Sequence, residues 1–76
     1  DRLMGRIRRR RIKRLEVAGR DAAMAHNQCW ITATRQEPGG TERAMWEELA
    51  KAWMELSLGY YRDARRLRGV EKHGKR

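Results

Sequence analysis

An all-helical hairpin is the fold this sequence predicts. Its residue inventory favours helix, its apolar residues recur at helical spacing in two long segments, and its strongest turn signal falls between them. Ala, Arg, Glu, Leu and Met dominate, all good helix formers. The strand formers are scarce, with two Val, three Ile and no Phe.

The 76 residues allow one domain, spanning 1–76. A single core in a chain this small supplies roughly 3–5 kcal/mol, so a disulfide, a metal or a partner is expected to add to it. The one cysteine, Cys29, cannot form an internal disulfide, which favours a reducing compartment and a cytoplasmic location. No apolar run approaches the roughly 20 residues of a membrane span. Residues 1–14 have the Arg-rich, acid-poor composition of a transit peptide, but the helical pattern runs through them into the rest of the chain.

The first helix is expected from about Leu3 to Thr34. Its stripe at three- and four-residue spacing is Leu15, Ala18, Gly19, Ala22, Ala25, His26, Cys29 and Ala33, mostly small. Glu37-Pro38-Gly39-Gly40-Thr41 holds the only proline beside a Gly pair and predicts the turn over 36–41. Thr41 is the expected N-cap of the second helix, with Glu42 in its first turn. That helix is expected from about Thr41 to Arg68, followed by a basic tail over 69–76. Its stripe is wider and bulkier: Met45, Trp46, Leu49, Ala52, Trp53, Leu56, Gly59, Tyr60, Ala64 and Leu67. Folding about Gly39 sets Gly19 opposite Gly59, Ala22 opposite Leu56, Ala18 opposite Tyr60 and Ala33 opposite Met45. Small then faces large, or Gly faces Gly, which permits close antiparallel packing.

Trp46, Trp53 and Tyr60 recur every seven residues on one edge of the second helix, next to Leu49. A narrow Ala-rich helix cannot cover a stripe wider than about 100°. The expected cover is a second copy, making a homodimeric four-helix bundle. Trp30 and Ile31, off the first helix's stripe, also point to a further contact surface.

Charge separates along the chain. Residues 1–20 carry nine basic and two acidic side chains, residues 60–76 seven and two, and residues 21–59 three and six. In an antiparallel hairpin the two basic segments lie side by side. Arg6, Arg10 and Arg14 form a like-charge ladder at i,i+4, as do Arg9 with Lys13 and Arg62 with Arg66. Each such pair costs on the order of 0.2–0.5 kcal/mol, and a merely solubilising face would interleave Glu. Arg8 and Arg11 occupy the face of Met4, Ile7 and Leu15, where the apolar stripe gives way. Contact with a polyanion accounts for these features, and Arg suits phosphate.

The first functional expectation is therefore backbone recognition of DNA or RNA, alone or within a nucleoprotein complex. Its residues are Arg6, Arg8, Arg9, Arg10, Arg11, Lys13, Arg14, Arg62, Arg65, Arg66 and Arg68. No spacing for base readout is present. The alternative is a protein–protein adaptor or an assembly or inhibitor module docking through Trp46, Trp53, Tyr60, Leu49 and Trp30. No catalytic arrangement, phosphate loop, cofactor motif or small-molecule substrate site is legible, so an enzyme is not expected. His26 and Cys29, one helical turn apart, are too few for zinc and read as a packed His beside a buried thiol. Glu47, Glu48 and Glu55 read as a solvent face. Asp63 is expected to pair across the hairpin with Arg11 or Arg14.

Overall fold

The structure is a computed structural model that describes the backbone of residues 2–74 and the side chains of residues 2–70. It is an antiparallel hairpin of two α-helices, α1 (Arg2–Thr34) and α2 (Thr41–Gly74), 56 Å long. Helix α2 continues through Gly69 to Gly74, beyond the end expected at Arg68. One glycine in an otherwise helix-forming run is not enough to stop it, since Gly costs about 1 kcal/mol there. The side chains of the tail residues Lys72, Lys75 and Arg76 lie outside the described residues.

The connection is built from the expected residues. Gly40 N–H donates to the Glu37 carbonyl at 3.1 Å, closing a turn with Pro38 and Gly39 at its centre. Gly39 has φ +79°, the value a type II turn demands at its third residue. Ala44 N–H donates to the Gly40 carbonyl at 3.2 Å. Gly40 therefore holds the cap position, one residue before the expected Thr41. At the end of α1 the Gln36 amide donates to the Thr32 carbonyl at 3.1 Å, satisfying one of the terminal acceptors.

The seam follows a seven-residue rhythm on both helices. On α1 the buried residues are Ile12, Gly19, Ala22, Cys29 and Ala33, with Leu15 and His26 half-buried between them. On α2 they are Ala50, Ser57 and Ala64. The small stripe of α1 is the expected one, carried a further turn by Ile12. The stripe of α2 is rotated. Met45 and Leu56 are 62% and 48% exposed, whereas Ala50 and Ser57, absent from the expected stripe, are nearly inaccessible.

Two hydrogen bonds fix the register. Ser57 Oγ–H donates to the Gly19 carbonyl at 2.7 Å, and His26 Nδ1 lies 2.7 Å from the Ala50 carbonyl, donating in the Nδ1–H tautomer. Gly19 is therefore level with Ser57 and His26 with Ala50, two residues away from the expected pairing of Gly19 with Gly59. Gly19 does mark a close approach. A Cβ there would lie 3.1 Å from the Tyr61 ring. At Gly59 the nearest such contact is the Arg62 guanidinium at 3.9 Å, so Gly59 serves no interhelical approach.

No large side chain among the described residues is fully buried. The interior consists of the Ile12 side chain, alanine methyls, a thiol and a hydroxyl, and the half-buried Trp46, Trp53, Met54, Tyr60 and Leu67 wall its sides. At about 0.8 kcal/mol per buried methylene-sized group, such a seam stabilises two 33- and 34-residue helices only modestly.

Candidate nucleic-acid interface

The register brings the two basic segments into apposition at the open end. Ile12 and Ala64 are both buried there, 4% and 2% exposed, which locks the Arg run of α1 beside that of α2. By the same register, Arg10 is level with Arg66. Arg6, Arg9, Arg10, Arg11, Lys13, Arg14, Arg62, Arg65, Arg66 and Arg68 are all exposed, and Arg8 is half-buried toward the seam.

These cations do not form one stripe. Helical periodicity puts Arg6, Arg9 and Lys13 on the flank of Glu16, and Arg65 and Arg68 on the flank of Tyr61. Arg68 Nη2 lies 2.6 Å from Glu16 Oε2, so these two flanks share one side of the hairpin. Arg11 and Arg14 follow the opposite flank of α1, and Asp63 and Arg66 that of α2. Arg10 and Arg62 occupy the outer edges. The positive charge is a sleeve, and its densest side is the one containing the Glu16–Arg68 pair.

Few carboxylates relieve it. Among the described residues, Arg6, Arg8, Arg10, Arg11, Lys13, Arg14, Arg65 and Arg66 have no ion pair. Asp63 does not reach across to Arg11 or Arg14. It lies 3.8 Å from its neighbour Arg62, half-exposed. The rotation of α2 that brings Ala64 into the seam turns Asp63 out to the flank. The turn end is different: Arg43 lies 3.9 Å from Glu47 and Lys51 3.3 Å from Glu48, so acidic and basic groups alternate there.

The remaining singled-out residues fall elsewhere. Trp46, Trp53 and Tyr60 are half-buried against α1, while Leu49 is 45% exposed and Trp30 46%. Beside the aromatic edge runs an uncovered strip of Met45, Leu49, Ala52, Leu56 and Gly59. On α1, Val17, Met24 and Ile31 recur every seven residues on the face away from the seam, each at least 40% exposed. Cys29 is a buried free thiol, and His26 spends its Nδ1 on α2. Among the described residues, no three His, Cys, Asp or Glu come together as a metal site would require, and no helix is long and apolar enough to cross a membrane.

Ser57 is absent from the stripe expected on α2, which is drawn from its apolar residues and glycine. The signal that would have found it is the heptad Ala50–Ser57–Ala64, matching Ile12–Gly19–His26–Ala33 on α1. No protein-family model matches the chain, and neither a curated protein nor a solved structure matches it.

Proposed function

We propose that the open end of the hairpin binds the phosphate backbone of nucleic acid, without reading bases, either alone or as part of a nucleoprotein complex. The observation that carries this reading is the apposition of two Arg runs whose side chains are mostly exposed and unpaired. Folding a chain so that like charges meet is unfavourable, and a bound polyanion reverses the sign of that term. Phosphate contacts of this kind release counterions, so affinity should fall steeply with salt. Trp46 and Trp53 are half-buried and stand apart from the arginines. Of the two tyrosines beside the arginines, Tyr60 is half-buried and Tyr61 has its ring laid over Gly19, which favours backbone contact over base stacking.

A second reading rests on the uncovered strip of α2. There the protein is an adaptor docking through Leu49 and its neighbours, and the arginines meet an acidic protein. In either reading we infer that the lone hairpin is not the working unit: in the first a homodimeric four-helix bundle supplies the missing burial, and in the second the partner protein does.

The test is a titration with nonspecific duplex DNA, single-stranded DNA and RNA at low and moderate salt. Tight binding of at least one polymer at low salt that collapses at the higher salt is expected. Absence of binding to all three at low salt would transfer the weight to the adaptor reading.

A further inference from the structure

The strip on α2 has a symmetry of its own. Met45, Leu49, Ala52, Leu56 and Gly59 sit at spacings of four, three, four and three, so the strip reads nearly the same in both directions about Ala52. Two shallow grooves meet at that residue. One is lined by Met45, Glu48 and Leu49, the other by Glu55, Leu56, Gly59 and Arg62, and both include Ala52. Leu49 and Leu56 are 45% and 48% exposed, although the hairpin has no fully buried large side chain to spare.

We infer that the strip is the contact surface of an antiparallel homodimer, with α2 of one copy running against α2 of the other about a two-fold axis at Ala52. This deepens the four-helix-bundle reading above and rests on it. About that axis, Ala52 meets its own copy, so the backbones can approach closely. Met45 falls opposite Gly59 of the second copy, large against absent side chain, and Leu49 packs near Leu56. Such a two-fold contact is self-complementary, which is what closed dimers require.

Charge selects the orientation. Each chain has an acidic turn end and a basic open end. In the antiparallel arrangement, Glu42 of one copy comes level with Arg62 of the other. In a parallel arrangement, Arg62 and Arg66 would face their own copies, positive on positive. Asp63 comes level with the uncharged Thr41, and the repulsion that remains is at the centre, where Glu48 of one copy comes within a residue of Glu55 of the other. A parallel arrangement would set each of these carboxylates against its own copy instead. The dimer engages Arg62 and leaves free the side holding Arg6, Lys13 and Arg65. It also carries two positive poles, roughly 40 Å apart at 1.5 Å per residue of helix, one at each end.

The test uses the protein without nucleic acid, so its failure is separable from failure of phosphate binding. Light scattering of the concentrated chain should give twice the 9.0 kDa chain mass. Leu49→Glu together with Leu56→Glu should halve that mass while the far-ultraviolet circular dichroism stays helical, since both side chains are exposed in the hairpin. Orientation is read by cross-linking under mild oxidation. Ala52→Cys alone should link to its own copy. Met45→Cys should link in a mixture with Gly59→Cys and poorly alone. The parent chain, whose Cys29 is buried, is the control. A monomeric parent would leave the strip to a different protein and overturn the inference. Self-linking of Met45→Cys faster than the mixed pair, or a dimer that survives the two Leu→Glu changes, would overturn it equally.

Discussion

At the turn end of the hairpin, carboxylates sit one helical turn from cations, as in Arg43 with Glu47 and Lys51 with Glu48. At the open end, Arg6, Arg10 and Arg14 repeat at the same spacing with no carboxylate among them. The seam also differs between the halves. The interhelical hydrogen bonds from Ser57 and His26 and the buried Cys29 and Ala33 lie from the middle toward the turn, whereas on the open side of Ile12 and Ala64 no described residue is buried. Thin packing leaves room for charge there, but it does not call for charges of one sign. The turn end has the surface of a helix that only needs to be folded, and the open end has one that weakens folding.

The largest effect is expected from removing that charge. Arg6→Gln, Lys13→Gln and Arg65→Gln together should weaken binding to nonspecific duplex DNA on the order of a hundredfold at low salt. The same variant should melt no lower than the parent, because each like-charge pair relieved returns about 0.2–0.5 kcal/mol. Function lost with stability kept is the pattern that distinguishes the two ends. The equivalent neutralisation at the turn end, Glu47→Gln with Glu48→Gln, should lower the melting temperature slightly and leave binding unchanged or stronger.

Next is Gly19→Val, which pushes a branched side chain into the Tyr61 ring and should cost about 1–3 kcal/mol in thermal unfolding. Were Gly19 merely a surface glycine, the same change would stabilise the helix. Ser57→Ala removes the hydroxyl bonded to the Gly19 carbonyl and should cost about 1 kcal/mol by the same measurement. Smallest is Gly69→Ala. Nothing lies within 4 Å of the Cβ it would add, and α2 continues past it. It should stabilise by roughly 0.5–1 kcal/mol. A destabilised Gly69→Ala would show that α2 ends near Arg68 after all.

The helices, the turn at Pro38-Gly39 and the small seam of α1 were legible in the sequence because each has a strong local signal. So was the polarity of charge, which needs only the turn to become a pole. The facing of α2 was not. Its apolar residues spread over a wide arc, and periodicity alone cannot say which part of a wide arc turns inward. Bulk suggested Met45, Leu49 and Leu56, but a seam already narrow at Gly19 and Ala22 selects Ala50, Ser57 and Ala64. That two-residue error in register displaced Asp63 from the interior and Gly59 from the contact. The set of exposed arginines was readable; their wrapping round both flanks, with Glu16 bonded to Arg68, required coordinates.

The claim on which the rest depends is that phosphates, and not the hairpin's own carboxylates, are the partners of the open-end cations. The slope of log affinity against log salt for duplex DNA tests it most directly, measured in the parent and in the Arg6, Lys13 and Arg65 variant. Each phosphate contact contributes about 0.9 to that slope. The account predicts a steep negative slope for the parent that becomes shallower by roughly two to three in the variant. Equal slopes in the two proteins would contradict it.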